Sequence, residues 1–428
     1  MKFFMMSKCG EGCGLLLRLQ REGNSCRVYV KEKEYYNVYD GILKKEKTCN
    51  PTRDEIVIFD STGSGKEADE YRRRGLRVFS GSKFHDNLEN SRGFGLEFME
   101  SCGIRTPETH RFKGTDFKKA YEFLSKSKEK FVFKPSGDLP SKLTYIGEDS
   151  EDLTTYMQYV ERNYKDLLDD FVLQRFVEGA VVSSEFWCGP HGFVRPGNQT
   201  VEVKKFLNDD LGPSTGCSGN LVWLCEDSPI LDKGILKAEK KLIENGYIGP
   251  IDLNTICDGE NVYGLEWTPR FGLDAMPTLL QLFSKDLGKF ISDLCQGVTE
   301  EFPAEDVYAG GVRLTIPPYP IETKKSADIE KIDKISPSCG LPIRLPEEYD
   351  ENYYYYEVFQ EDECLYHSSG TGAIAVVSFA DGNCEDALKQ CYDVLEEVKI
   401  PDKQYRTDLA KVLPDMYDKI EDESLCLA

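Results

Sequence analysis

The chain has 428 residues, 40% of them hydrophobic and 30% charged, with 75 acidic against 53 basic side chains and a formal net charge of -22. That length exceeds one ordinary core and predicts roughly two to four domains, the apolar content excludes general disorder, and the charge argues against a broad nucleic-acid surface. No apolar run approaches the roughly eighteen residues of a membrane span, and 15 cysteines without repeated spacing, beside 4 histidines, argue against structural zinc and for reduced thiols in the cytoplasm.

The opening "MKFFMMSKCGEG" carries an apolar patch too short for a signal peptide, which fits a first buried strand. "KFFMM", "SCRVYV", "EIVIFD" and "LRVFS" then alternate with helical segments, a βαβ rhythm that predicts an N-terminal α/β domain over 1–103. The glycines of "SKCGEGCGLLLRLQREG" lie between strand and helix but lack the dinucleotide-binding spacing. "DSTGSGKEAD" imitates a phosphate loop and fails twice. Asp60 stands where the opening glycine belongs, and Glu67 where a magnesium-binding hydroxyl is needed, so the segment reads as a polar turn and helix start. "GIRTPETHRF", Gly103 to Phe112, reads as a linker.

From about 112 to 192 the pattern becomes helix, strand, loop, strand. "TDFKKAYEFLSKS" is amphipathic, "KFVFKPS" is a strand, and "DFVLQRFVEGAVVSSEFWCGPHG" is two strands around Glu178 and Gly179. A helix in "PILDKGILKAEKKLIENG" precedes strands in "YIGPIDLNTICDG" and "NVYGLEWTPRFG", joined by the hairpin signal Asp258-Gly259. A further domain is expected near 305, with a strand-rich centre "ECLYHSSGTGAIAVVSFADG" and a helix in "CEDALKQCYDVLEEV".

Chemistry gathers around the hairpin. Asp252 and Glu266 each stand seven residues from Gly259, which predicts that they face one another across the ladder and offer magnesium two carboxylates. Arg270 beyond the strand could neutralise a phosphate; the plain alternative is a surface ion-pair network. Lys134 on a strand and Lys142 on a glycine-containing loop could grip a triphosphate, or could be two solvated lysines. In "VLQRFVEGA" a strand edge could meet a base, with Glu178 accepting from a ribose hydroxyl. "NDDLGPSTGCSGN" offers backbone N–H groups to an anion, or is a plain flexible loop.

Taken in order, "FVFKPSGDLPSK", "LQRFVEGAVVSSEF", "DLGPSTGCSG", "GPIDLNT" and "LEWTPRFG" resemble the ATP-grasp ligases, most closely the phosphoribosylamine-glycine ligases. The likeness extends through "SGSKFHDNLENSRGFGLEFMESCGIRTP" before them and "GGVRLTIPPYP", "GTGAIAVVSFADGNCEDALKQCYDVLEEV" and "YRTDLA" after them. It implies an α/β and α+β multidomain protein. An N-terminal α/β domain would occupy 1–103, an ATP-grasp module 104–304 with its lid at about 126–192, and a strand-rich α+β domain 305–428.

The resemblance further implies an enzyme that joins a carboxylate to an amine through an acylphosphate, with ATP and magnesium or manganese. Lys134, Lys142, Gln174, Phe176, Val177, Glu178 and Lys204 would bind the nucleotide. Glu266, Asp252 and Thr268 would hold metal, with Thr268 standing where the relatives have asparagine. Arg270, Ser214, Thr215 and Gly216 would serve catalysis. The partners implied are a small carboxylate and a small amine, with no nucleic acid and no membrane; monomer and homodimer both stay open.

Departures gather on the acceptor side. "GPNTGGMG" of the relatives is "GPSTGCSG" here, altering Ser214, Cys217 and Ser218; "RFGDPE" is "RFGLDA", with Leu273 and Ala275; "GGREHA" is "CGEGCG"; and "GPE" is Asp60 to Thr62. The expectation is retained ATP chemistry on changed substrates. The alternatives are a genuine phosphoribosylamine-glycine ligase of purine biosynthesis and a nucleotide-binding protein without ligation.

Overall fold

The structure, a computed structural model, describes residues 1–136, 143–284, 286–298, 301–320, 338–368 and 370–427. Lys142 falls outside them.

Strands β1 (Lys2–Ser7), β2 (Ser25–Val30), β3 (Lys44–Lys45), β4 (Ile56–Phe59) and β5 (Arg77–Phe79) form a parallel sheet in the order β3-β2-β1-β4-β5. Near-continuous apolar runs such as "IVIF" in β4, all four residues buried, suit a sheet covered on both faces. Helices α1 (Cys13–Arg21), α2 (Gly65–Arg73), α3 (Lys83–Asn90) and α4 (Arg92–Ser101) accompany it. Because β1 lies between β2 and β4, the loops after β1 and β4 stand side by side at the carboxyl ends of the strands, where open α/β sheets leave a crevice.

A second, four-stranded antiparallel sheet orders β6 (Thr109–Lys113), β9 (Asp170–Arg175), β7 (Phe131–Pro135) and β8 (Tyr145–Ile146). Thr109 to Phe112, read from sequence as linker, pair with β9 instead, since the alternation "THRF" suits an edge strand. Helices α5 (Phe117–Leu124) and α6 (Ser150–Tyr164) close a separate core in which Phe117, Leu124, Leu153 and Met157 meet Phe131, Phe133 and Phe171. The Asp149 side chain caps α6 by accepting from the N–H groups of Glu151 and Asp152.

The large sheet is antiparallel and eight-stranded. Its strands are β10 (Ala180–Gly189), β11 (Gly192–Lys205), β12 (Ser214–Cys225), β13 (Gly249–Cys257), β14 (Val262–Thr268), β15 (Tyr308–Thr315), β17 (Tyr353–Tyr355) and β20 (Ala373–Asp381), in the order β14-β13-β10-β11-β12-β15-β20-β17. Strand β10 therefore belongs to this sheet and β9 to the small one, so the two strands around Glu178 and Gly179 part company there. Strands β15, β17 and β20 of the C-terminal segment extend the same sheet from the edge of β12.

Strands β16 (Pro342–Ile343), β18 (Val358–Glu361) and β19 (Cys364–His367) make a three-stranded sheet. The expected helix after Ser228 is broken at Gly234 into α7 (Pro229–Lys233), a 3-10 turn and α8 (Glu239–Glu244). Helices α9 (Ala275–Leu282), α10 (Leu287–Gln296), α11 (Cys384–Glu397) and α12 (Leu409–Leu427) complete the chain. Leu279, Leu388 and Leu409 sit in one core with Val201, Val203 and Leu221 of the large sheet. The described cysteines whose side chains are placed are free thiols, and no helix is long and apolar enough to cross a membrane among the described residues.

Candidate active site

The polar face of the large sheet is built by strand periodicity. Across β14, β13, β10 and β11, Thr268, Asp252, Glu185 and Asn198 form one row, and Glu266, Asn254, Ser183 and Thr200 form the next. Residues opposed in a ladder share a face. This corrects the expected register, in which Asp252 faced Glu266. The last pair before the turn is Cys257 with Val262, which moves the turn centre beyond Gly259, and a bulge between Gly264 and Glu266 adds one further step. Asp252 is thus opposed to Thr268 and Glu266 to Asn254, with the two carboxylates diagonal on one face. Asn254 was missed from the sequence, although it lies two residues from Asp252 on a strand.

Three cations surround Glu266. Arg92, the first residue of α4, donates from Nη1 to Glu266 Oε2 at 3.4 Å and from Nε to the Pro135 carbonyl of β7 at 2.6 Å. Lys204 Nζ stands 4.0 Å from Glu266 Oε1. Burial would raise the Glu266 carboxyl, but Lys204, Arg92 and Lys134 together hold it down to about 2. Lys134 is fixed by donating to Gln174 Oε1 at 2.8 Å, while Gln174 Nε2 donates to Thr109 Oγ1 at 3.1 Å. Burial lowers the Lys134 ammonium to about 8, against the opposing pull of Glu266. Burial likewise works against Lys204, but Glu266 and Glu202 raise it above the ordinary lysine value.

Asp252 and Glu185 are buried carboxylates opposed across β13 and β10. Burial first, then the neighbouring charges of Glu185 and Glu202, push Asp252 well above the usual carboxylate range, and burial brings Glu185 to about 7. A divalent cation would relieve both. Among the described residues no group of three or more His, Cys, Asp or Glu side chains is placed to hold a metal ion. The donors present, carboxylates of Glu266 and Asp252 with side-chain oxygens of Asn254 and Thr268, fit magnesium in the mode where nucleotide phosphates and water supply the remaining oxygens.

Arg270 leaves the end of β14 and turns to α3, where Nε (3.2 Å) and Nη2 (2.7 Å) clasp Glu89, while Nη1 donates to the Phe271 carbonyl at 2.9 Å. Burial opposes its charge, but Glu89 outweighs it and the guanidinium is held more firmly protonated than usual. Thr215 is buried and donates to the Lys204 carbonyl at 2.9 Å, while Ser214, paired with Lys205, and Gly216 are exposed. A Cβ at Gly216 would come 3.7 Å from Asp274 Oδ2. Asp274 and Arg313 form a buried pair, with Nε at 2.8 Å, and Tyr356 donates to the same carboxylate oxygen at 3.1 Å. Phe176, Val177 and Glu178 occupy the link between the small and large sheets; Glu178 is exposed, and Phe176 N–H donates to the Lys130 carbonyl at 2.7 Å. Sequence reasoning missed Arg92, Glu89 and the Asp274–Arg313 pair, which distant segments bring together. Glu185 and Glu202 carried a signal only as acidic residues inside apolar strands.

No family model matches the chain. A phosphoribosylamine–glycine ligase of Fusobacterium nucleatum is 23% identical over 405 residues, covering 87% of this chain and 90% of that protein. Among solved structures, phosphoribosylamine–glycine ligase from Thermotoga maritima superposes with a TM-score of 0.72 at 20% identity, covering 95% of this chain and 100% of that one. The biotin carboxylase domain of 2-oxoglutarate carboxylase from Hydrogenobacter thermophilus, in complex with MgADP, ADP and bicarbonate, gives 0.65 at 14% identity, covering 98% and 95%.

Proposed function

We propose that this chain, whose fold is that of phosphoribosylamine–glycine ligase and of a biotin carboxylase domain, is an ATP-dependent ligase of the ATP-grasp type joining a carboxylate to an amine through an acylphosphate. The observation that carries this reading is the convergence of Lys134 and Lys204 on Glu266, on the face that also holds Asp252 and Asn254.

Lys134, pinned by Gln174, and Lys204 offer two cations to nucleotide phosphates at the boundary of the small and large sheets. Phe176, Val177 and Glu178 on the linking segment bind base and ribose, and Lys142 is the further phosphate lysine. A carboxylate oxygen of the donor attacks the γ-phosphorus, and the bond to the bridging oxygen of ADP breaks. The amine nitrogen then attacks the acyl carbon, inorganic phosphate leaves, and the nitrogen gives up a proton. Arg270, held by Glu89, supplies positive charge beside the transferred phosphoryl group, and Ser214, Thr215 and Gly216 orient the acyl group. Glu266, Asp252, Asn254 and Thr268 would hold magnesium or manganese, which when bound offsets phosphate charge. The small sheet closes over the reaction and keeps water from the anhydride.

The free thiols fit a cytoplasmic setting. Likeness to phosphoribosylamine–glycine ligases makes glycinamide ribonucleotide synthesis the first assay. The departures at Glu11, Asp60, Cys217 and Leu273 favour other substrates. Glu266→Ala tests the core of the proposal: ADP formation with the true substrates is expected to vanish, and unchanged ADP formation would refute the assignment.

A further inference from the structure

We infer that Arg92 is a built-in competitor of the divalent cation: in the empty site its guanidinium holds Glu266, so a bare metal ion is kept out and metal enters only together with nucleotide. The inference rests on the reading of Glu266 as a metal ligand and adds a regulation to that same site.

Packing fixes where Arg92 stands. It is the first residue of α4, whose start is set by the Ser91 hydroxyl accepting from the Phe94 N–H at 3.4 Å. Trp267, buried and next to Glu266 in β14, donates to the Gly95 carbonyl at 3.3 Å, and a Cβ on Gly95 would come 3.5 Å from the indole. The helix is thereby held against the strand that carries Glu266. From this start the guanidinium spans two sheets, with Nε on the Pro135 carbonyl of β7 at 2.6 Å and Nη1 on Glu266 Oε2 of β14 at 3.4 Å. Its planar fork of donors makes both contacts at once.

The other carboxylate oxygen, Glu266 Oε1, faces Lys204 Nζ at 4.0 Å, so each oxygen already has a cation beside it. With 44% of the Glu266 side chain exposed, the barrier to an ion is charge and not access. A bare divalent ion would join Arg92, Lys204 and Lys134. The crowding of like charge is already felt at Lys134: burial lowers its ammonium first, Glu266 raises it, and Arg92 and Lys204 lower it further. The ion would also take the carboxylate from Arg92 and leave a guanidinium only 23% exposed without its counter-charge. Nucleotide phosphates reverse both effects, because they give the displaced cations negative charge and give the metal oxygen ligands. Metal and nucleotide then raise one another's affinity by the same factor.

Binding of Mn2+ to the full chain without nucleotide, read from the loss of the free ion's electron paramagnetic resonance signal, tests this. Wild type is expected to bind with a Kd weaker than about 100 μM. Arg92→Gln removes the charge and should tighten Mn2+ binding at least about tenfold, while Arg92→Lys, which keeps it, should stay near wild type. Adding Glu266→Gln to Arg92→Gln should abolish the gain, which locates the ion on Glu266. Equal Mn2+ binding by wild type and Arg92→Gln, or a gain that survives Glu266→Gln, would overturn the inference. So would wild-type binding tighter than about 100 μM, a result read without any variant and therefore decisive even where Arg92→Gln misfolds. The ligase reading is judged separately by ADP formation: its loss in Glu266→Ala together with equal Mn2+ binding by wild type and Arg92→Gln would sink this inference alone.

Discussion

Lys134 gives the reasoning its sharpest test, because its ammonium is poised to lose a proton near neutral pH. Burial brings it to about 8, and Glu266 only partly offsets that. If the ammonium grips a nucleotide phosphate, binding requires the protonated form. A group with this value is about nine-tenths protonated at pH 7 and about one-tenth at pH 9, so the apparent Kd for Mg-ATP should rise about tenfold across that interval. An ordinary lysine would hold its charge throughout. Lys134→Arg keeps the charge at every pH of the experiment and should bind more weakly but flatly. Calorimetric titration at pH 7, 8 and 9 reads both. A flat profile in wild type, or the same slope in Lys134→Arg, would refute the role. Stability runs the other way: the unfolded chain binds more protons than the folded one between about 8 and the ordinary lysine value of 10.5, so this group's contribution to folding improves as pH rises through that window.

Asp274→Ala leaves the Arg313 guanidinium buried without its carboxylate, and the folded state should lose about 3–5 kcal/mol, read by urea unfolding. A loss under about 1 kcal/mol would show that Tyr319 and Tyr356 satisfy the guanidinium alone. Glu89→Gln frees Arg270 from its two-pronged hold. The maximal rate of ADP formation should fall about tenfold while Mg-ATP affinity stays within about twofold; equal loss in both would assign Glu89 to nucleotide binding instead.

The element pattern was legible from apolar runs and apolar spacing. "KFFMM", "SCRVYV" and "EIVIFD" became β1, β2 and β4 as short apolar runs in a sheet covered on both faces, and "CEDALKQCYDVLEEV" became α11 because its apolar residues recur at helical spacing. The hairpin was legible too: Asp258 accepts from the N–H groups of Glu260 and Asn261, and Gly259 takes a φ of 82°. What local pattern does not encode is the meeting of remote segments. Arg92 reaches Glu266 across 174 residues and Glu89 reaches Arg270 across 181.

Register shows why one expectation failed in detail while its consequence survived. A turn centred beyond Gly259 shifts the ladder by one residue, and a shift of one turns every side chain of β14 to the opposite face. The bulge at Leu265 adds a second shift of one, so Glu266 and Thr268 return to the face of Asp252 and Asn254. Gly264, a glycine inside a strand, is the sequence mark of such a place. The carboxylates share a face because two irregularities cancel, and Trp267, between Glu266 and Thr268, is sent to the buried side, where its indole N–H donates to the Gly95 carbonyl of α4 at 3.3 Å. That anchor joins β14 to the helix whose first residue, Arg92, touches Glu266, so the register that presents the carboxylate also positions the cation beside it.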